Sequence, residues 1–364
     1  MRIAILGTRG IPNYHGGFEQ FAEFFSTYMA EKGHEVYVYN SHNHPYKKSK
    51  FKDVNVIHCN DPEQNLGTVG QFIYDFNCIV DSRKRGYDII LQLGYTSSSI
   101  WSFLFPKKSI IVTNMDGLEW KRSKYNKAVQ KFLKYAEKLA VNNSHFLISD
   151  SIGIQDYIKN KFHKNSEYIP YGAEIFNSPD SSLLEEFGLE VYNYNMLIAR
   201  LEPENNIETI LAGATASSSA HPILVIGKHN TSYGNFLKQK FKRDIRVRFL
   251  GGIYDLNKLN NLRYFSNIYF HGHSVGGTNP SLLEAMSSNA LIMANDNIFN
   301  KSILGTNAFY FKSAVDIQKM MNISKLNHNE FLSENKKKVI DIYSWSKINR
   351  QYETFLSLCL DSND

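Results

Sequence analysis

The chain alternates short apolar segments with segments of helix length, and this alternation limits its possible folds more than any other feature. The apolar segments are rich in β-branched residues and apolar almost throughout, as expected for parallel strands buried on both faces rather than for hairpins. The sequence therefore predicts two doubly wound α/β domains, one in each half of the chain. The predicted strands lie within RIAILGT, HEVYVYN, VNVIHC, YDIILQLG, SIIVTNM, HFLISDS and EYIPYG, and then within NMLIARL, PILVIGK, RVRFLGG, IYFHGH, ALIMAND and AFYF.

A length of 364 residues suits two domains of ordinary size. The last strand of the first half ends near Pro170–Ala173 and is followed by a polar stretch, so we expect an N-terminal domain over 1–171 and a C-terminal domain over 172–342. Residues 343–364 predict an amphipathic helix that packs back on the N-terminal domain. Ligands of open parallel sheets bind beyond the carboxyl ends of the strands, so the two domains are expected to face a central cleft.

The composition favours a cytoplasmic protein. Three cysteines, Cys59, Cys78 and Cys359, are too few and too widely spaced for a disulfide framework or a zinc site. The first residues read as a strand rather than a signal peptide, and no apolar run approaches the roughly 18 residues of a membrane span. The net charge of +6 arises entirely from the first half of the chain.

Glycines follow the first predicted strand and precede a helix. Gly16 and Gly17 open that helix, where free amide hydrogens and the helix dipole favour a phosphate. The spacing matches neither the GxGxxG fingerprint of dinucleotide-binding domains nor a P-loop. A tight turn explains the glycine pair equally well.

A second glycine pair, Gly276 and Gly277, precedes another predicted helix. Asn279 suits the N-cap of this helix and Pro280 its first position, so the free amides are expected to point into the cleft. Glu284 lies four residues after Pro280 on the same helical face, close enough to accept hydrogen bonds from ligand hydroxyls. The alternative is a glutamate exposed to solvent.

The order of these motifs resembles the GT-B fold and, within it, the retaining family-4 glycosyltransferases. The resemblance extends over the whole chain, and its motifs are GGFE at 16–19, ARLEPENN at 199–206, FLGGI at 249–253 and GGTNPSLLEAM at 276–286. Three further segments resemble the bacterial rhamnosyltransferases that build capsule and cell-wall polysaccharides: NMDGLEWKRSKY at 114–125, SDS at 149–151 and IPYGAE at 169–174.

The resemblance implies roles for individual residues. Glu284 would hold the ribose of a nucleotide-sugar donor, and Arg200 would bind its diphosphate with a permanently charged, planar guanidinium. Glu204 is a further candidate for this part of the cleft. Other implied contacts are Gly277, Thr278 and Asn279 with the diphosphate, Gly252 and Ile253 with the base, and Gly16 and Gly17 with the diphosphate from the other domain.

The chain departs from the family pattern at two positions. The family has a glutamate eight residues before the second glutamate, where this chain has Gly276. A 6-deoxy sugar, which has one hydroxyl fewer, offers a reason for the missing carboxylate. The family also has a lysine five residues after the arginine, where this chain has Asn205, and Lys228 is a candidate to replace that charge.

The reaction implied by the resemblance requires no metal or other cofactor. The sequence has no DxD triplet, and the histidines at 42–44 and 271–273 lack carboxylates at ligand spacing. Asp116 directly follows a predicted strand and is the candidate to orient or deprotonate the acceptor hydroxyl, although an Asx-turn explains it too. Glu119, Lys121 and Asp150 are further catalytic candidates.

A basic segment follows Asp116. Residues 121–138 contain seven Lys or Arg and one Glu, and a helical stripe is formed by Lys127, Lys131, Lys134 and Lys138. Such a helix is commonly a solvated surface helix, but it also suits anionic lipid headgroups at about 1 kcal/mol per basic side chain. Nucleic acid is disfavoured, because no nucleic-acid-binding motif accompanies the charge.

The resemblance therefore implies a metal-independent, retaining hexosyltransferase on the inner face of the cell membrane. The best donor is dTDP-L-rhamnose, and the partners are this nucleotide sugar, a lipid-diphosphate-linked saccharide acceptor and an anionic membrane surface. Three alternatives remain open: a UDP- or GDP-sugar donor, a GT-B nucleotide-sugar epimerase, and a non-catalytic GT-B accessory subunit.

Overall fold

The computed structural model of the protein describes residues 1–14, 16–122 and 125–362, and their contacts divide into two compact units. The first unit comprises Met1–Lys121, Tyr125–Tyr171 and the segment that begins at Trp345. The second comprises Gly172–Ser344 together with Arg122.

The first unit is built on an eight-stranded sheet. Its strands are β1 (Arg2–Leu6), β2 (Glu35–Ser41), β3 (Lys50–Phe51), β4 (Val54–Cys59), β5 (Ile89–Leu93), β6 (Ile110–Asn114), β7 (Phe146–Ser149) and β8 (Glu167–Tyr168). Its helices are α1 (Gly17–Glu31), α2 (Glu63–Leu66), α3 (Thr68–Ser82), α4 (Lys127–Asn143) and α5 (Ile152–Phe162), and the C-terminal helix, Trp345–Asp361, also belongs to this unit. The strand order is β3-β4-β2-β1-β5-β6-β7-β8.

One strand corrects the prediction of parallel strands without hairpins. Strand β3 pairs antiparallel with β4, whereas the other strands of this sheet pair in parallel. The two residues between them, Lys52 and Asp53, both have positive φ, 44° and 63°. Two consecutive residues with left-handed backbone form a tight hairpin turn. The residue types Lys and Asp did not predict this turn, because such turns favour glycine and asparagine.

The C-terminal helix packs into the core of the first unit. Trp345, Ile348, Tyr352 and Leu356 share one hydrophobic cluster with the β1 and α1 side chains. The indole of Trp345 stacks on the ring of Phe24 at 4.7 Å between centroids. The apolar stripe read from the sequence is therefore the buried face of this helix.

The second unit is built on a six-stranded parallel sheet in the order β11-β10-β9-β12-β13-β14. Its strands are β9 (Asn195–Ile198), β10 (Ile223–Ile226), β11 (Val247–Gly251), β12 (Ile268–His271), β13 (Ile292–Asn295) and β14 (Phe309–Phe311). Its helices are α6 (Ile207–Ala216), α7 (Ser232–Phe241), α8 (Leu256–Phe265), α9 (Pro280–Ser287), α10 (Ile298–Leu304), α11 (Ala314–Met320) and α12 (Asn329–Lys338), and the C-terminal helix of the chain is α13. The predicted α/β class with two parallel-sheet domains is thus confirmed.

Each sheet has one point where the strand order reverses direction. In the first unit it lies between β1 and β5, and in the second between β9 and β12. Crevices at such reversals are where open α/β sheets bind ligands. The loops that follow these four strands are therefore the first places to look for a site.

Two further sequence predictions concern the cysteines and membrane-spanning segments. All three cysteines are free and buried. Within the described ranges, no helix has both the length and the apolar character that crossing a membrane requires.

Candidate functional site

In the second unit, hydrogen bonds join the two loops at the reversal of strand order. The backbone N–H and the Oγ of Ser274, after β12, both donate to the carbonyl of Glu204, after β9, at 3.1 and 2.7 Å. Asn206 Nδ2 donates to the Gly272 carbonyl at 2.8 Å. A Cβ on Gly272 would lie 2.0 Å from the Asn205 carbonyl oxygen, so only glycine fits. The loops thus form one connected backbone surface.

Helix α9 begins on this surface in the predicted way. The side chain of Asn279 caps the helix by accepting from Ser281 N–H at 3.0 Å, and Pro280 occupies the first helical position. The predicted N-cap is confirmed. Thr278, just before the cap, is buried. Pro280 has no N–H, and the Leu282 and Leu283 N–H groups donate to the Asn279 carbonyl at 3.0 and 3.3 Å. The positive end of the helix dipole gives the loop the electrostatic character of an anion site.

Gly276 is required by its backbone conformation. Its φ is +134°, which side-chain-bearing residues rarely adopt, while a Cβ there would meet nothing within 4 Å. The space is open, but a glutamate at this position would strain the loop. The backbone conformation of this loop therefore disfavours the carboxylate of the family pattern at this position. Gly277 follows it and is partly exposed.

Glu284 is not the solvent-exposed glutamate of the alternative interpretation. Its Oε2 accepts from Nη2 of Arg263 on α8 at 2.5 Å, and its side chain is 18% exposed. The Arg263 side chain is only 1% exposed and also donates through Nη1 to Asn260 Oδ1 at 2.8 Å. The carboxylate is therefore held at one position by a buried cation.

Asn205 supports the loop that carries Arg200. The Asn205 side chain is buried, and its Nδ2 donates to the Arg200 carbonyl at 2.7 Å. Arg200 itself is exposed after the end of β9. Glu204 is partly buried, and its carbonyl accepts the bonds from Ser274 described above. Where the family pattern has a lysine, this chain thus has the side-chain amide of Asn205, which holds the backbone of Arg200 in place.

Two histidines lie beneath this loop. The rings of His271 and His273 stack at 4.4 Å between centroids. Burial lowers the pKa of His273 to about 3, with a further contribution from the charge of Arg200, and burial also holds the pKa of His271 well below its usual range. Both rings are neutral at physiological pH. In residues 1–14, 16–122 and 125–362, no three metal-ligating side chains come close enough to hold a metal ion.

The remaining donor-side candidates lie after β10 and β11. Lys228 is exposed directly after Gly227, whose hypothetical Cβ would lie 2.0 Å from the Ala199 carbonyl oxygen. This close approach puts the Lys228 backbone beside the loop after β9. Gly252 and Ile253 follow β11, exposed and partly buried respectively.

In the first unit, the loop after β1 is held by two carboxylates of α1. Glu19 Oε1 accepts from Arg9 N–H at 2.8 Å, and Glu23 Oε2 accepts from Asn13 N–H at 2.8 Å. Gly16 is the N-cap of α1 and Gly17 its first residue, so the predicted helix start is confirmed. Gly16 N–H donates to the Asn13 side chain at 3.2 Å.

Asp116 lies two residues after the end of β6 in a strained conformation. Its φ is +51°, in the left-handed region that is uncommon for residues other than glycine. Its N–H donates to Oδ1 of Asn114 at 3.0 Å, so the Asx-turn is made by Asn114 rather than by Asp116. Asn114 Nδ2 in turn donates to Oη of the buried Tyr352 at 2.8 Å. A chain of hydrogen bonds from α13 thus sets the backbone of Asp116.

Asp116 and Gly117 line a small recess, large enough for about one water molecule, together with Tyr95, Glu137 and Tyr157. The other catalytic candidates lie nearby in sequence or at a neighbouring strand end. Glu119 and Lys121 form a short 3₁₀ turn after Asp116, and Asp150, partly buried, directly follows β7. The catalytic roles of these three residues are predictions.

The basic helix α4 has the predicted exposed stripe and an unpredicted buried carboxylate. Lys127, Lys131, Lys134 and Lys138 are all exposed. Lys124, also part of the basic segment, lies outside the described residues. Glu137, by contrast, is 1% exposed. The one acidic residue of this segment therefore belongs to the interior of the unit.

Sequence reasoning missed four residues that support the candidate site: Arg263, Asn114, Tyr352 and Glu137. Two of them carried a usable signal. Glu137 falls four residues after Leu133 and three before Ala140, and Arg263 four after Leu259, so each lies on the buried stripe of its helix. A charged residue at such a position predicts a buried partner.

The chain is similar to solved glycosyltransferases over its whole length. Sucrose-phosphate synthase from Thermosynechococcus elongatus matches at a TM-score of 0.81 with 16% identity, covering 99% of both chains. Anabaena HepE in complex with UDP and glucose matches at 0.76 with 17% identity, covering 98% of this chain and 99% of that one. Trehalose-6-phosphate synthase from Burkholderia multivorans matches at 0.69 with 10% identity, covering 99% and 98%. The two sheets and these similarities define the GT-B fold.

Sequence comparison adds one match. Residues 1–174 match a family model described as a domain of unknown function, DUF1972. No curated protein sequence matches the chain.

Proposed function

We propose that the protein is a retaining glycosyltransferase that transfers a sugar from a nucleoside-diphosphate donor to a lipid-linked saccharide acceptor. The observation that carries this proposal is the loop at the strand-order reversal of the second unit. It combines the start of α9, capped by Asn279, with a carboxylate, Glu284, fixed by Arg263. An anion site beside an oriented carboxylate suits a diphosphate next to a ribose hydroxyl.

The proposed donor site uses the residues around this loop. Gly277, Thr278 and Asn279 bind the diphosphate through the backbone, with charge from Arg200 and Lys228. Gly252 and Ile253 border the base. Glu204 and Asn205 hold the loop that carries Arg200, through the contacts described above. Gly16 and Gly17 lie at the start of α1, where the missing side chains let the diphosphate approach the backbone.

The proposed sugar is L-rhamnose, carried by dTDP. The resemblance to rhamnosyltransferases suggested it, and Gly276 supports it, because a 6-deoxy sugar requires one hydroxyl contact fewer than a hexose with all its hydroxyls. UDP-glucose is the competing donor, because HepE was solved in complex with it. In both cases the leaving group is a nucleoside diphosphate.

In the proposed reaction the acceptor hydroxyl attacks the anomeric carbon as its bond to the diphosphate oxygen breaks. The leaving diphosphate accepts the hydroxyl proton on the face of attack, which retains configuration. Asp116 orients the hydroxyl, and its strained backbone is consistent with such a role. The reaction needs neither a metal nor another cofactor, since the positive end of the α9 dipole and the basic side chains neutralise the diphosphate.

The acceptor is placed in the first unit, with its lipid in the inner face of the cell membrane. The exposed stripe of Lys127, Lys131, Lys134 and Lys138 supports this placement by presenting positive charge to anionic headgroups. The protein would then act as a peripheral membrane enzyme of surface polysaccharide synthesis.

A panel of sugar nucleotides tests the proposal. dTDP-rhamnose, UDP-glucose and GDP-mannose are each incubated with and without a membrane extract that contains lipid-linked saccharides, and nucleoside diphosphate release is measured. Acceptor-dependent release, greatest with dTDP-rhamnose, supports the proposal. Sugar isomerisation without transfer would identify an epimerase, and binding without turnover an accessory subunit; both would refute it.

A further inference from the structure

A group of charged side chains lies around Trp120, in the first unit. The indole of Trp120 is held by a hydrogen bond, in which its Nε1 donates to Oε2 of Glu137 at 3.0 Å. The other carboxylate oxygen, Oε1, accepts from Tyr157 Oη at 2.8 Å and from Lys161 Nζ at 2.6 Å. A buried carboxylate with three donors leaves the indole little freedom to rotate.

Three ammonium groups surround this fixed ring. Their Nζ atoms lie 4.3 Å (Lys134), 5.5 Å (Lys121) and 5.7 Å (Lys161) from the ring centroid, all within cation–π range. Only Lys161 is paired with Glu137. In the described part of the chain, Lys121 and Lys134 have no carboxylate partner. The cluster therefore has three positive charges for one negative charge.

Cation–π attraction does not by itself account for this arrangement. At an exposed site such a contact contributes about 0.5–1 kcal/mol, and the like charges of Lys121 and Lys134 oppose their approach to one ring. A ligand with two or more negative charges would remove that repulsion and accept hydrogen bonds from both ammonium groups. The chemistry of the cluster thus suits a phosphate or diphosphate.

The cluster is also close to the candidate reacting group. Glu137, which accepts from the indole, and Tyr157, which donates to Glu137, line the same recess as Asp116. Trp120 follows Asp116 by four residues. A ligand anion on Lys121 and Lys134 would therefore place its attached sugar beside the Asp116 loop.

We propose that Trp120, Lys121 and Lys134 form a binding site for the diphosphate group of the acceptor. This inference rests on the proposed function for the identity of the ligand. The lysines of the α4 stripe then have different roles. Lys134 binds the diphosphate, whereas Lys127 and Lys138 face the lipid surface. Lys121 also has a role in binding the acceptor.

The test is a fluorescence titration of the full-length protein with inorganic pyrophosphate, with the donor site saturated by dTDP or UDP. We expect a saturable change in tryptophan emission that is absent in Trp120→Phe. The variant Lys121→Gln/Lys134→Gln should weaken pyrophosphate binding at least tenfold. The matched variant Lys127→Gln/Lys138→Gln loses the same charge from the same surface. Its pyrophosphate affinity should differ less than twofold from that of the unmodified protein.

A second arm distinguishes free diphosphate from a lipid headgroup. Sedimentation with phosphatidylglycerol vesicles should be reduced in Lys127→Gln/Lys138→Gln more than in Lys121→Gln/Lys134→Gln. Equal losses in both assays for both pairs, or no fluorescence response in the unmodified protein, would overturn the proposed site. A protein that transfers sugar but shows no pyrophosphate response would refute only this inference, whereas a normal response without transfer would refute only the proposed function.

Discussion

The guanidinium of Arg263 holds the carboxylate of Glu284 at 2.5 Å, although the two residues lie on different helices, α8 and α9. Arg263→Met leaves that carboxylate without its buried cation, and removing one partner of a buried pair costs about 3–5 kcal/mol. We expect a lower free energy of unfolding and at least a tenfold increase in the Kd for a nucleoside diphosphate. Denaturant unfolding and calorimetric titration measure the two effects.

The control for Arg263→Met is a substitution on the same helix, α8. Lys258 pairs with Glu186 at 2.6 Å, but both side chains are substantially exposed. Lys258→Met should change the free energy of unfolding little, as is usual for surface pairs, and leave nucleotide affinity unaltered. If Arg263→Met binds nucleotide as well as the unmodified protein, Glu284 does not depend on Arg263 for its function.

Lys228 is predicted to supply charge to the donor diphosphate. Lys228→Ala should increase the Kd for a nucleoside diphosphate about tenfold or more, because a charge-assisted hydrogen bond to a phosphate is lost. The effect should be much smaller for the nucleoside alone. Lys242→Ala, at an exposed position after α7, is the comparison, and equal affinities for the two variants would rule out the assigned role.

Tyr352 is predicted to act on catalysis through Asn114. Tyr352→Phe removes the acceptor of Asn114 Nδ2 in a buried position, which costs about 1–3 kcal/mol. We expect kcat to fall several-fold while donor affinity is retained, since only the Asp116 loop loses support. Tyr135→Phe, exposed on α4, should leave kcat unchanged. A Tyr352→Phe enzyme with full kcat would show that Asp116 needs no support from α13.

The two buried histidines predict that the protein loses stability in acid. Their folded-state pKa values lie below that of an unfolded histidine, so the unfolded state binds more protons between about pH 6.5 and pH 3. The stabilisation is present above pH 6.5 and is lost as pH falls toward 3, with a slope of up to about 1.4 kcal/mol per pH unit for each histidine.

His273→Asn should reduce this slope in urea unfolding curves measured from pH 7 to pH 4. His163→Asn is the control, because His163 is exposed in a left-handed conformation that asparagine tolerates. An unchanged slope in His273→Asn would show that His273 is protonated in the folded protein.

The sequence was sufficient to predict the parallel strands of both sheets, because each lies in an apolar segment that is recognisable by itself. The hairpin of β3 was missed, because two residues are too short a segment to produce a pattern and the Lys52–Asp53 turn lacks glycine and asparagine. The N-cap at Asn279 was predictable because capping depends on neighbouring residues in the chain.

The supporting residues of the site were not predicted, because each acts on a residue distant in sequence. Tyr352 contacts Asn114 across 238 positions, and Arg263 contacts Glu284 across 21. In the sequence Tyr352 reads as an apolar residue and Glu137 as one charge in a basic surface helix. Only the fold shows that Tyr352 accepts a hydrogen bond from Asn114 and that Glu137 accepts from Trp120, Tyr157 and Lys161.

The most direct test of the central claim is transfer of radiolabelled sugar from a nucleotide donor into lipid-extractable product. Asp116→Asn is the matched variant, because asparagine tolerates the left-handed backbone of this position and lacks the charge. We predict incorporation by the unmodified protein and at least a hundredfold lower rate in Asp116→Asn, which binds the donor normally. No incorporation from any nucleotide sugar, with a full set of lipid-linked acceptors present, would contradict the account.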